Sequence, residues 1–90
     1  MRTIYKYQLN LETKETVVPA THGAKLIHVG QDPAGENCLW LELDPAQEAQ
    51  KYRFAVIGTG DRVPDDMVHC GSIQDGPFMW HVYSATSFIL

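Results

Sequence analysis

Polar and apolar residues alternate through most of this chain, and that period of two is the strongest constraint on its fold. Side chains along a strand point to opposite faces in turn, so alternation of this kind builds sheets rather than amphipathic helices. "TIYKYQLN" sets Tyr5, Tyr7 and Leu9 against Ile4, Lys6 and Gln8. "AKLIHVGQ" sets Ile27 and Val29 against Leu26 and His28. In "ENCLWLELD", Leu39, Leu41 and Leu43 oppose Cys38, Trp40 and Glu42. In "KYRFAVIG", Tyr52, Phe54 and Val56 oppose Arg53, Ala55 and Ile57, and "FMWHVYSA" sets Phe78, Trp80 and Val82 against Met79, His81 and Tyr83. A β-branched run, "ETVVP", is expected to stop at Pro19, and "MVHCGSIQ" reads as a weaker strand.

The breaks between these runs carry turn chemistry. "DPAGEN" (Asp32 to Asn37) has proline as its second residue, and Asp75-Gly76 is a hairpin signal. "DPAQEAQ" (Asp44 to Gln50) is expected to form a single helical turn with Pro45 at its first position. Short turns between consecutive strands favour neighbours that pair in order. The expected fold is therefore all-β: six to seven short antiparallel strands in a meander, closed as a small barrel or stacked as a two-layer sandwich, in a single domain over residues 1–90. The apolar end of the chain, Phe88, Ile89 and Leu90, is expected to dock on the core or on a neighbouring subunit.

Size limits what such a domain can bury. A chain of 90 residues covers only roughly 60–65% of the surface its unfolded form exposes, which makes oligomerisation a natural route to further burial. Its 44% hydrophobic and 20% charged content is that of an ordinary globular protein. With seven basic against eleven acidic residues the formal charge is −4, which argues against nucleic-acid binding through a general basic field. No secretory leader is recognised at the start, and no apolar run approaches the roughly 18 residues of a membrane-spanning helix. Cys38 and Cys70 are accordingly expected to be reduced, in a cytoplasmic setting.

The chemical motifs are sparse. "FAVIGTGDRVPDD" ends a strand in Gly-Thr-Gly, but Val63 stands where a dinucleotide fingerprint needs its third glycine, and Pro64 opposes a helix there. Gly58 and Gly60 are therefore read as turn glycines, with Arg62 left to attract an anion and Asp61 to repel one. His69-Cys70, Cys38, His28 and His81 supply metal-ligating atoms without finger or ribbon spacing, so no metal site and no cofactor are expected. No nucleophile motif surrounds Ser72, Ser84, Ser87 or Cys70, and no catalytic residue is assigned. The side chains best suited to contact a ligand or partner are Trp40, Arg53, Arg62, Trp80, His81 and Tyr83, against the competing demand of a small core for its aromatics.

Taken in order, "TIYKYQL", "VVPATHGAKLIHVGQ", "CLWLELD", "RFAVIGTGDRVPDD" and "WHVYS" resemble a family of small uncharacterised phage and prophage proteins marked by Cys-Leu-Trp, Gly-Thr-Gly and Trp-His-Val signatures. In that pattern a histidine often follows the second glycine. Asp61 stands there in this chain, so no role that needs an imidazole at that point carries over. The resemblance implies a phage-encoded accessory protein in a bacterial host cytoplasm. Together with the absence of a catalytic motif, it leads to the expectation of a binding protein without catalysis that blocks a host protein, such as a defence component. One alternative is an oligomeric sponge for a small anionic nucleotide, using Lys51, Arg53 or Arg62 with Trp40; another is a minor phage structural or assembly protein.

Overall fold

A computed structural model describes residues 1–85, in which seven antiparallel strands stack as a two-layer sandwich. The strands are β1 (Thr3–Gln8), β2 (Glu15–Thr21), β3 (Lys25–Gln31), β4 (Asn37–Leu43), β5 (Ala49–Gly58), β6 (Val68–Asp75) and β7 (Phe78–Ser84). One sheet has the order β1-β4-β3 and the other β2-β5-β7-β6. The all-β class is as the alternation requires, and of the two expected architectures, barrel and sandwich, the chain takes the sandwich. Phe88, Ile89 and Leu90, expected to dock, lie outside the described residues.

The connectivity is not a plain meander. Only β3–β4 and β6–β7 are consecutive hairpins; β1 pairs with β4, β2 with β5, and β5 with β7. Turn residues fix where a chain reverses, not whether the next strand pairs with the last or crosses to the other layer. Layers about 10 Å apart lie within reach of a loop of a few residues, so both routes satisfy the same signals.

The two sheets meet through one face of the alternating strands. Leu39, Leu41 and Leu43 of β4 are at most 2% exposed, and they face Val18, Tyr52, Phe54, Val56, Ile73 and Val82 of the other sheet in one hydrophobic core. The Tyr52 hydroxyl donates to the Thr21 carbonyl at 2.7 Å, so its ring can fill the core while its polar end is satisfied.

Two local expectations are corrected. Pro19 does not end its strand: β2 runs on to Thr21, with Pro19 opposite Lys51 of β5. The reason lies in backbone parity. His22 N–H donates to the Glu48 carbonyl at 2.8 Å, and Val56 N–H to the Lys14 carbonyl at 2.9 Å. Even-numbered residues of β2 therefore face β5, and Pro19 falls among those facing outward on an edge strand, where no N–H is needed. Asp44 to Gln47 is a tight turn instead of a helical one. Gln47 N–H donates to the Asp44 carbonyl at 3.1 Å and Ala46 N–H to Asp44 Oδ1 at 3.0 Å. That second bond, first among the causes, holds the Asp44 carboxyl below its ordinary range.

The hairpin between β6 and β7 turns on Gly76-Pro77, with Asp75 paired to Phe78. Gly76 takes a φ of 57° while the proline ring holds the next φ negative, the combination of a type II′ turn. The sandwich closes along one long side, where β3 meets β6. A Cβ on Gly71 would lie 3.2 Å from Val29 Cβ, and Asn37 Nδ2 donates to Asp75 Oδ2 at 3.0 Å across the same side.

Candidate functional site

The outer face of the four-stranded sheet carries a polar and aromatic cluster built by a β-bulge. In a regular strand, residues three apart point to opposite faces. Between His69 and Gly71 the register of β6 against β7 shifts by one, with His69 opposite Tyr83 and Ser72 opposite His81. The extra residue, Cys70, brings His69 and Ser72 onto one face. Gly71 makes room for this arrangement, because its missing side chain would press on Val29 of the facing sheet.

His81 sits at the centre of the cluster. Its Nδ1 is hydrogen-bonded to Ser72 Oγ at 2.8 Å and its Nε2 to Thr59 Oγ1 at 2.9 Å, so both ring nitrogens are engaged. A hydroxyl can donate or accept, which lets either tautomer of the ring keep both bonds. His69 Nε2 lies 3.1 Å from Ser72 Oγ, and the His69 ring meets Tyr83 edge-on with centroids 5.3 Å apart. Beneath this layer, Ala55 and Ile57 of β5 point outward and are nonetheless buried. This second face is therefore partly sealed by its own side chains.

Beside His81 lies a shallow cavity of about 220 Å³, lined by Ile57, Thr59, Val63, His81 and Tyr83 and by the loop Gly58 to Asp61. The loop is a turn: Asp61 N–H donates to the Gly58 carbonyl at 3.0 Å, and Gly60 in its third place takes a φ of 93°. Asp61 Oδ2 accepts from Lys14 Nζ at 3.3 Å. A Cβ on Gly58 would come within 2.9 Å of that same Asp61 oxygen. Asp61 thus holds the loop against the rest of the protein and places a carboxylate at the rim of the cavity.

The other sequence candidates separate. Arg62 lines a smaller cavity of about 180 Å³ with Val63, Pro64 and Asp65. Arg53 lies on the outer face of β5, where its Nε donates to Glu15 Oε1 at 3.0 Å. Trp80 points inward, half-buried and stacked on Phe78 with centroids 5.8 Å apart; its buried indole N–H has no acceptor among the described residues. Trp40 is on the outer face of the opposite sheet, 5.2 Å from the His28 ring. No surface of the sandwich collects Trp40 with Arg53 and Arg62.

Of the six candidates, His81 and Tyr83 come together; Thr59 is not singled out by the sequence, and His69 and Ser72 are weighed there only as a metal ligand and a nucleophile. Gly71, an isolated glycine inside a strand pattern, was the signal available for the bulge. The two thiols are free, Cys38 on β4 and Cys70 on β6, and burial raises the pKa of both. That favours the protonated, less reactive thiol. Among the described residues no group of three or more His, Cys, Asp and Glu side chains is arranged to hold a metal ion.

Residues 1–88 match the family described as a domain of unknown function, DUF7352, and the chain belongs to that family. Comparison with curated proteins and with solved structures found no match.

Proposed function

We propose that this member of the DUF7352 family acts by binding, and that its contact surface is the outer face of β6 and β7 with the Gly58–Val63 loop. The observation that carries this reading is the His81 ring, hydrogen-bonded at both nitrogens and packed beside Tyr83 and a shallow cavity. A ring held in this way has little rotamer freedom left to lose on binding, so the face is preorganised for contact. Both bonds to the ring come from hydroxyls, and among the described residues no carboxylate is hydrogen-bonded to His81 as the third, orienting member of a hydrolytic triad, which favours binding over hydrolysis.

The biological setting proposed is a phage or prophage accessory protein that blocks a host protein, such as a defence component, in the bacterial cytoplasm. Its support is the resemblance carried by the five segments quoted above. The sponge reading has weaker support, because its aromatic and its arginines lie on different faces of the sandwich. Both are tested by capture from bacterial lysate with the purified protein, alongside a thermal-shift panel of nucleotides. The expected result is a protein retained by the wild type and lost with Tyr83→Ala, with no response to nucleotides. Equal recovery by the two forms, or a large nucleotide-dependent shift, would overturn the proposal.

A further inference from the structure

We propose that β1 is a self-association edge, where a second copy of this chain adds antiparallel to join the two three-stranded sheets into one of six strands. The backbone parity of β1 follows from one bond. Leu9 N–H donates to the Asn37 carbonyl at 2.8 Å, continuing the register that sets Tyr7 opposite Leu39 and Tyr5 opposite Leu41. Odd-numbered residues therefore direct their backbone groups at β4. Ile4, Lys6 and Gln8 direct theirs away from the sheet, where no described strand pairs with them.

The other three sheet edges carry devices against strand addition. Pro19 removes an outward donor from β2. The strands β3 and β6 face each other through Val29 and Gly71, and each carries a register shift. By contrast, β1 pairs with β4 along all six of its residues without a shift. A lysine in mid-strand ordinarily deters pairing at an edge. Here Lys6 is drawn onto Asp32, with Nζ 2.7 Å from Oδ2 and the Asp32 side chain only 6% exposed. Ile4 and Tyr5 beside it are 54% and 46% exposed.

Charge narrows the occupant's register. An antiparallel two-fold pair places residues of the same face opposite each other. Centred on Lys6, it would set two ammonium groups face to face; centred on Ile4, it would set Arg2 against Lys6 of the second copy. Centred on Tyr5, it sets Ile4 against the aliphatic stem of the second copy's Lys6, Tyr5 against Tyr5, and Thr3 against Tyr7. This register brings no like charges into opposition, and it joins the outward backbone groups of Ile4 and Lys6.

Sedimentation velocity and native mass spectrometry of the purified chain, across about three decades of concentration, test the proposal. The expected result is a concentration-dependent dimer. Ile4→Pro gives β1 the same block that Pro19 gives β2, and it deletes a hydrogen bond on each side of the two-fold axis. Dimerisation should weaken about thirtyfold with the sheet signature in circular dichroism retained. Ile4→Lys keeps the backbone donor and opposes like charges, so it should weaken the dimer about fivefold, an effect that added salt relieves. A wild type that stays monomeric throughout would overturn the proposal, as would a dimer that both substitutions leave intact.

Discussion

Replacing Gly71 with alanine puts a single methyl group into a close approach between the two sheets. The new Cβ would lie 3.2 Å from Val29 Cβ and 3.4 Å from its Cγ2, against an optimum of about 3.5–4.0 Å for carbon pairs. Either β3 or β6 must yield by a few tenths of an ångström. Overpacking of that kind costs about 1–3 kcal/mol, offset by up to about 1 kcal/mol from the lower chain entropy of alanine in the unfolded state. The net loss should be about 1–2 kcal/mol, which in a domain of this size lowers Tm by roughly 4–15 °C. Urea titration of the wild type, Gly71→Ala, Val29→Ala and the double variant closes a thermodynamic cycle. Trimming Val29 should recover about 1 kcal/mol in the alanine background beyond the sum of the single effects. A Gly71→Ala protein as stable as the wild type, or a strictly additive double variant, would refute the reading that Gly71 is kept bare by Val29 of the facing sheet.

Ser72→Ala removes the hydroxyl that joins His69 to His81 and should cost about 1 kcal/mol in urea unfolding, together with the loss of whatever binds at Tyr83. Trp80→Phe deletes the buried indole N–H that has no acceptor among the described residues, so its loss of ring area should be largely compensated and stability should stay within about 1 kcal/mol of wild type. The ion pair of Lys6 with Asp32 predicts a pH profile. Its hydrogen bond to the Lys6 ammonium, and then one from the Glu36 backbone, hold the Asp32 carboxyl below its usual 3.8, and the same side-chain bond holds Lys6 above 10.5. A lowered acid stabilises the fold above its unfolded pKa and loses that contribution as pH falls through the folded value; a raised base does the reverse at the alkaline end. The stability gap between wild type and Asp32→Asn should therefore stay level between about pH 5 and 9, narrow below 3.8, and narrow again above 10.5 in pH-dependent urea midpoints.

Most strands were legible because they alternate, and the same alternation grouped Leu39 with Leu41, Phe54 with Val56, and Trp80 with Val82 on one face each; it did not say that these are the faces that form the core. Pairing was not legible. The partner of β1 is β4 rather than β2, and nothing in the run Asn10 to Lys14 distinguishes a hairpin from a step between layers. Pro19 was misread because its cost depends on which side of an edge strand its nitrogen faces, a parity set by pairing with β5. The candidate site was half legible for a related reason. His81 and Tyr83 lie two apart on a regular strand and share a face, as the pattern says. His69 and Ser72 share that face only because Cys70 is an extra residue, and one inserted residue inverts every face assignment before it. Trp40 and Trp80 looked equivalent in sequence, yet one points to solvent and the other toward the core.

The crossed connectivity also sets an order on assembly. The β3–β4 and β6–β7 hairpins are local and close on the scale of about 1–10 μs, whereas every other pairing awaits contacts distant in sequence. During synthesis β1 emerges first, but its partner β4 follows only after β2 and β3 have been made. The N-terminal strand therefore stays unpaired until β4 is made, as β2 does until β5 is made. Its composition bears on nascent-chain solubility as much as on the finished fold, and the lysine at its centre has work to do before Asp32 exists to hold it.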